Sequence, residues 1–482
     1  MLTACGSGSE SNSDDSNSTD AIPTVNAGPD FTVLNLASVT LSATVTYDGA
    51  TTVTWTKISG TDVALTTSTT TSTSFTAPNA VSEEELIFKI SVEDGVNDAV
   101  TDSITVTVDP DYDEATDWII NSSGRSTTIF ESAISNLGVL INVQSAEEKT
   151  VDAINYIHVE ASGIPGYEVV MTEDIINSLN SRPNASHDFS AGVTTASVGD
   201  TVIFGGDIGY DNRNSTNCSD TGGIGYWPFG PECPTDQNIS LNFPSEPEES
   251  AESCSTNLGP VGLMVNGTHT FGWGDGQSYG SDIWYQLAAQ AEYYAVDICG
   301  GHTGANGTYH HHFYSSCLAN MLGDNGTDHS PIYGYIFDGY PIYGPYESNG
   351  ELAVSGWAKR DYGAPESEGG CATEGERTCI LIDEYHISQG VNASVEQGPD
   401  IGEEITVGPD RYPTDLGFYY EGFYYIQAEA VGNQLDQHNG HDNDDGRGYH
   451  YHITVTYEDG TLTTSFPHTA GPLYKGKVEN FR

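Results

Sequence analysis

Residues 439–452 read NGHDNDDGRGYHYH, and residues 299–312 read CGGHTGANGTYHHH. Both segments begin at or near a Gly-His pair, continue through a short loop of small and polar residues, and end in Tyr-His-x-His. Tyrosine favours strands, and residues two apart in a strand face the same side of the sheet. We therefore expect each Tyr-His-x-His to be a strand that presents two imidazoles on one face. The repetition also predicts an internal duplication.

The histidines of these two segments are candidate metal ligands. Two imidazoles on one face of a strand can converge on one ion, and the Gly-His that opens each loop can supply a third ligand. Imidazole suits zinc, copper, iron and nickel, of which we expect copper or zinc here. The alternative is that the histidines hydrogen-bond and pack in a tyrosine-rich core. The first-rank ligands are His302, His310, His312, His441, His450 and His452.

Other residues are weaker candidates. His329 and His468 are second-rank ligands, and His311 is expected to point away from its neighbours. Asp338, in Phe-Asp-Gly-Tyr, is a ligand, a carboxylate that orients a histidine, or the first residue of a turn, since Asp-Gly is typical of turns. The loop oxygens of Asp442 and Asp444 make calcium a competing interpretation there.

The most specific expectation concerns how the two histidine segments are arranged. If the strands that carry His310 and His450 lie side by side, about 4.8 Å apart, four imidazoles share one patch. The sequence therefore predicts that both segments build one metal site.

The charge of the chain narrows its partners. The 482 residues include 14 Lys and Arg against 69 Asp and Glu, a formal charge of −55. Such a charge opposes binding to nucleic acid or to an anionic membrane surface. The sequence contains no Gly-x-Ser-x-Gly, dinucleotide-binding or phosphate-loop motif. Two classes of function stay open: a binding protein for metal, carbohydrate or protein, and a metal-dependent enzyme, either a copper oxidoreductase or a zinc hydrolase.

The cysteines and the first residues indicate export. Leu2-Thr3-Ala4-Cys5-Gly6 is similar to a bacterial lipobox, which predicts lipidation of Cys5 as the only membrane attachment and a tether up to residue 21. Local spacing favours disulfides Cys299–Cys317 and Cys371–Cys379, and leaves one cysteine unpaired among Cys218, Cys233 and Cys254. Disulfides form in oxidising compartments, so we expect a bacterial cell-surface, periplasmic or extracellular location.

Several stretches after residue 260 resemble the YHYH-domain family of secreted bacterial proteins. Beyond the two histidine segments, these stretches are 262–267 (GLMVNG), 329–335 (HSPIYGY), 337–346 (FDGYPIYGPY) and 466–469 (FPHT). The resemblance implies an exported, β-rich domain. Members often carry a cysteine just before the second Gly-His, where this chain has His438, so an imidazole stands in place of a thiol.

The beginning of the chain has a different pattern. Short alternating segments, among them 39–45, 53–57, 86–92 and 103–108, are typical of an immunoglobulin-like sandwich with Trp55 in its core. Residues 26–30 (NAGPD), 75–78 (FTAP) and 92–95 (VEDG) resemble polycystic-kidney-disease-type (PKD) repeats. The predicted fold is mainly all-β. It has a tether at 1–21, a sandwich at 22–109, a linker at 110–117 and a YHYH domain at 118–482.

Overall fold

The computed structural model describes residues 22–35, 37–47, 49–78, 80, 83–109, 112–113, 117–129, 138–181, 194–206, 208, 234–252, 254–256, 258–279, 284–292, 296–365, 372, 380–383, 386–392, 401–407, 410–413, 417–426, 432–443, 446–458 and 460–478. Strands dominate these residues, as predicted. Among them, no helix combines the length and the apolar character needed to cross a membrane.

The first region is a β-sandwich, which confirms the immunoglobulin-like prediction. One four-stranded sheet has the order β2-β8-β7-β5, with β2 parallel to β8, and the pairs β3-β6 and β1-β4 complete the region. Buried residues alternate along β5 and β7, and Trp55 is 2% exposed in the core. Its strands are β1 (Thr24–Asn26), β2 (Phe31–Leu34), β3 (Ser38–Ser42), β4 (Thr44–Thr46), β5 (Thr52–Ser59), β6 (Ser72–Thr76), β7 (Glu84–Glu93) and β8 (Val100–Asp109).

A second group of strands covers one side of the remaining chain. Its main sheet has the order β13-β14-β17, and α1 is the longest of the described helices. The elements are β9 (Tyr112–Asp113), β10 (Trp118–Ile119), β11 (Ser126–Thr127), β12 (Val139–Leu140), β13 (Val143–Val151), β14 (Ile154–Ala161), β15 (Glu168–Val170), α1 (Glu173–Ser181), β16 (Thr201–Ile203) and β17 (Ile239–Pro244). The domain boundaries at 109 and 118 stay predictions.

The rest of the chain carries the histidine segments. Its elements up to the second segment are β18 (Pro260–Met264), β19 (His269–Phe271), β20 (Gly274–Tyr279), β21 (Trp284–Leu287), α2 (Ala288–Ala291), β22 (Gly301–Thr303), a 3-10 helix (Ala305–Gly307), β23 (Tyr309–His311), α3 (Ser316–Met321), β24 (Ile332–Ile336), β25 (Pro341–Tyr343), β26 (Tyr346–Ser348), β27 (Glu351–Leu352) and β28 (Trp357–Lys359). They are followed by β29 (Ile380–Asp383), β30 (His386–Asn392), β31 (Glu404–Val407), β32 (Asp410–Pro413), a 3-10 helix (Tyr420–Gly422), β33 (Phe423–Tyr425), β34 (Gly440–His441), β35 (His450–His452), β36 (Val455–Glu458) and β37 (Thr461–Thr464).

An eight-stranded sheet with the order β22-β23-β19-β18-β24-β25-β35-β34 organises this region. Each half repeats the same pairings: an antiparallel hairpin (β18-β19 or β24-β25), a parallel pair (β19-β23 or β25-β35) and an antiparallel pair (β23-β22 or β35-β34). The halves meet at the antiparallel pair β18-β24. The sheet is therefore an internal duplication with an approximate two-fold axis at its centre.

The duplication separates the two histidine strands. Between β23 and β35 lie β19, β18, β24 and β25. At about 4.8 Å per strand, the two are on the order of 24 Å apart. The prediction of one shared metal site is therefore wrong, because the two-fold axis passes between the hairpins rather than between the histidine strands.

Candidate metal centres

The first histidine segment forms a compact group of four side chains. Register pairs His302 on β22 with His310 on β23, so both face the same side, and His312 follows on that side. The Nε2 atom of His310 lies 3.0 Å from Nε2 of His302 and 3.1 Å from Nε2 of His312. Glu292, just after α2, brings its Oε2 to 3.2 Å from His302 and 3.0 Å from His312. We call this group the first centre.

Backbone carbonyls fix which nitrogens of the first centre carry protons. The Nδ1 of His310 donates to the Thr308 carbonyl at 3.0 Å, and the Nδ1 of His312 donates to the Gly272 carbonyl at 2.8 Å. A carbonyl oxygen only accepts, so in the neutral rings both Nε2 atoms hold lone pairs. Those lone pairs face each other, which requires a cation between them. Outward Nδ1–H donation to a carbonyl is also the usual arrangement of a metal-binding histidine.

Burial makes a proton a poor choice for that cation. The pKa of His310 lies well below its usual range because of burial and of the neighbouring His302 and His312. Burial alone would raise the pKa of Glu292, but His302 and His312 outweigh it and hold the carboxyl anionic. A neutral imidazole beside a carboxylate is the donor set that a divalent metal accepts.

The second histidine segment repeats this arrangement, with Glu347 of β26 in the place of Glu292. Oε1 of Glu347 lies 3.0 Å from Nε2 of His441 and 3.1 Å from Nε2 of His452. The Nδ1 atoms of His450 and His452 donate to the carbonyls of Gly448 and Gly344, each at 2.7 Å. Burial, followed by the neighbouring His450, holds the pKa of His452 well below its usual range. Glu347, His441, His450 and His452 are the second centre.

The supports behind the two centres also correspond. In the first half, the Tyr309 hydroxyl donates to Asp297 at 2.9 Å, and the same carboxylate accepts from the N–H of Cys299 at 2.8 Å. In the second half, the Tyr449 hydroxyl donates to Asp436 at 3.1 Å, and that carboxylate accepts from the N–H of His438 at 2.8 Å. His438 therefore occupies the position of Cys299, as the sequence comparison indicated.

The weaker candidates have different positions. His329 lies beside the second centre, with ring centroids 5.2 Å from His452 and 5.6 Å from His450. His468 is buried, and burial followed by the charge of His312 lowers its pKa to about 3. His311 points away from its neighbours, as expected, and its Nε2 lies 2.9 Å from the Tyr167 hydroxyl.

The interpretation of Asp338 as a ligand or as an orienting carboxylate is wrong. Its Oδ2 accepts from the Tyr451 hydroxyl at 2.6 Å and from the Gly476 N–H at 2.8 Å, while Oδ1 accepts from the Tyr340 N–H at 3.2 Å. Among the described residues, the groups able to hold a metal include neither Asp338 nor His468. The turn interpretation is the one the structure supports.

Neither glutamate was predicted from the sequence. Glu292 lies in the segment before the first motif, and Glu347 follows the Tyr-Gly-Pro-Tyr stretch, far in sequence from His441. The two are at unrelated distances from their histidines, so spacing carried no signal. They could have been found only as the acidic residues next to elements that the duplication brings to the same end of the sheet.

The cysteine predictions have mixed outcomes. Cys299 and Cys317 form the predicted disulfide, with Cα atoms 5.1 Å apart. Among the described cysteines, Cys254 is free and exposed. The predicted Cys371–Cys379 pair, Cys5, and Asp444 of the calcium interpretation lie outside the described residues.

Comparisons with known proteins agree with the two resemblances. The family described as "YHYH protein" matches residues 240–459, and a family described as "PKD domain" matches residues 27–108. No curated protein matches the chain.

Solved structures resemble parts of the chain. One is the solution structure of the PKD domain from KIAA 1837 protein, 24% identical over 22% of this chain and 92% of that one, with a TM-score of 0.16. Another is a nucleoside hydrolase-related hypothetical protein from Saccharophagus degradans, 13% identical over 18% of this chain and 24% of that one, with a TM-score of 0.16. A third is a 2,6-sialyltransferase from Photobacterium sp. JT-ISH-224, 19% identical over 17% of each chain, with a TM-score of 0.15.

These superpositions are too weak to support an argument about the metal centres. Both family matches cover regions whose fold and motifs are described above, and such domains are typical of extracellular bacterial proteins. The chain therefore carries a YHYH domain at residues 240–459, preceded by a PKD-type domain at residues 27–108.

Proposed function

We propose that this chain is an exported surface protein whose YHYH domain binds two transition-metal ions, one at each centre. The observation that carries the proposal is the approach of His310 Nε2 to His312 Nε2 at 3.1 Å, with both Nδ1 atoms donating to carbonyls. A metal ion relieves the opposition of the two lone pairs, and zinc or copper suits three imidazoles and a carboxylate.

The distances within each centre support one ion per centre. Ligands at about 2.0–2.1 Å from a tetrahedral zinc lie roughly 3.3 Å from one another. In the first centre, the contacts between donor atoms range from 3.0 to 3.2 Å, so a small outward movement of the side chains accommodates the ion.

Elemental analysis of the full chain, purified without a histidine tag and without added metal, tests the proposal. We expect two metal ions per chain in the wild type and one in each of the variants His310→Ala and His450→Ala. The double variant should have none, because distant sites lose their ligands independently. His158→Ala is the matched control, since His158 contacts Asn242 on another sheet. A folded wild type that binds no metal would contradict the proposal.

A metal-dependent enzyme is the second candidate, and one observation favours it. The Glu292 side chain is 25% exposed, whereas that of Glu347 is 7% exposed. Solvent therefore reaches the first centre, and a catalytic metal needs such an exchangeable position. Binding of azide to a cobalt-substituted first centre, followed by its visible spectrum, tests for that position.

The membrane anchor and the extracellular ligand are separate proposals. Lipidation of Cys5 would attach the chain to the cell surface, and mass spectrometry of the membrane-bound protein, compared with Cys5→Ser, tests it. A carbohydrate or protein ligand is consistent with the extracellular character of both domains.

A further inference from the structure

The two centres differ in one imidazole. His329 precedes β24, and its ring nitrogen lies within 4.8 Å of the donor nitrogens of His450 and His452. Its Nδ1 donates to the Ser330 carbonyl at 2.8 Å, so its Nε2 is the nitrogen that carries a lone pair. This is the same arrangement that orients the other histidines of both centres.

The surroundings of His329 hold its ring against the second centre. The Tyr343 ring contacts it edge-on, with centroids 4.9 Å apart at 90°. The same tyrosine contacts His450 at 4.8 Å. One aromatic side chain therefore positions both imidazoles.

The donors of the second centre form two overlapping groups. One contains His329, His450 and His452, and the other contains Glu347, His441 and His452. His452 belongs to both, and because its Nδ1 is held by the Gly344 carbonyl, only its Nε2 is available to a metal. A single ion bound to that nitrogen therefore draws donors from both groups, which gives four imidazoles and one carboxylate.

The two-fold axis identifies what the first half has instead. Pairing of Gly262 with Ile336 and of Met264 with Gly334 makes Gly262 and Gly334 equivalent. Counting back from them, position 329 corresponds to Asn257 in the sequence. The first half therefore has an asparagine where the second has an imidazole.

We infer that His329 is a fifth ligand that makes the second centre selective for copper(II), while the four-donor first centre takes zinc. The inference rests on the proposed metal binding at both centres. Tetrahedral sites suit zinc, whereas nitrogen-rich sites with more donors suit copper(II), which also binds most tightly among the divalent ions.

Titration of the metal-free full chain with one equivalent of copper(II) and then one of zinc(II) tests this inference. Pulsed electron paramagnetic resonance counts the imidazoles bound to copper, and calorimetry gives both affinities. We expect four imidazoles on copper in the wild type and three in His329→Asn, which restores the first-half residue. Copper affinity should fall at least about tenfold, since even an indirect support of a metal ligand contributes that much, and zinc affinity should not change.

His329→Ala is the second variant, and His158→Ala is the control that should match the wild type. Three imidazoles on copper in the wild type, or unchanged copper affinity in folded His329→Asn and His329→Ala, would overturn the role of His329 and leave the two-metal proposal standing. Absence of both metals from both centres would overturn the proposed function as well.

Discussion

At the scale of single residues, the chain uses identical donors for different purposes according to the face they occupy. His310 and His312 share the face of the first centre, whereas His311, between them, contacts Tyr167. This alternation follows from strand geometry, and the sequence was sufficient to predict it. The fate of Asp338 was not predictable in full, because the partners that bury it, Tyr451 and Gly476, come from distant parts of the chain.

Replacing Asp338 tests its structural role. Asp338→Ala should lower the free energy of unfolding by about 2–4 kcal/mol, because the Tyr451 hydroxyl and the Gly476 N–H lose their buried acceptor. Metal content should stay at the wild-type value. Chemical denaturation and elemental analysis of the same samples check both statements, and a loss of one metal without a loss of stability would restore Asp338 as a ligand.

His468 gives a pH dependence of stability. Its pKa in the folded chain is about 3, lowered chiefly by burial, against about 6.5 in an unfolded chain. Below pH 6.5 the unfolded chain takes up a proton that the folded chain does not, so this contribution to stability is complete above pH 6.5 and is lost as pH falls towards 3. The loss is about 1.4 kcal/mol per pH unit.

His468→Asn is the variant for this measurement, because the backbone φ of His468 is 76° and asparagine tolerates that region. Denaturant unfolding of the metal-free protein between pH 4 and 8 should give a shallower slope for the variant than for the wild type. Equal slopes would show that His468 is protonated in the folded chain.

At the scale of elements, the strands and the same-face histidine pairs could be predicted, but their long-range pairing could not. Periodicity predicts β23 and β35, yet it does not show that β19 and β25 pair with them in parallel. That pairing is what brings the Gly272 and Gly344 carbonyls to His312 and His452. The error of a single shared site has the same origin, since short motifs contain no information on strand order.

The disulfide joins two elements beside the first centre. Cys299 leads into β22, which carries His302, and Cys317 lies in α3. Cys299→Ser and Cys317→Ser should each lower the free energy of unfolding by roughly 2–5 kcal/mol, since the bond restricts the unfolded chain. Cys254→Ser is the control, because Cys254 is free and exposed. Denaturation under oxidising conditions checks this, and equal stability of all three variants would mean that the bond does not form.

At the scale of the whole molecule, the PKD-type domain and the following region share contacts. Leu34 of β2 is buried in the same cluster as Leu318 and Leu322. Asp109 pairs with Arg125 at 2.5 Å, and Asn325 donates to Thr40 at 2.9 Å. The sequence predicted two units from their different patterns, but it gave no indication of this packing, because Leu34 is an ordinary apolar strand residue.

Removal of the first domain separates stability from metal binding. A chain of residues 118–482 loses the Leu34 contact and the Asp109–Arg125 pair, so its melting temperature should fall. Both metal centres lie on the sheet β22 to β34, away from β2, so the metal content should not change. Leu34→Ala in the full chain should reproduce part of the destabilisation, because large-to-small changes in a core cost about 2–5 kcal/mol. Calorimetric melting and elemental analysis of both proteins decide the matter: loss of metal from a truncated chain that still melts cooperatively would show that the PKD-type domain helps to hold the ions, and the two regions would then have to be treated as one functional unit.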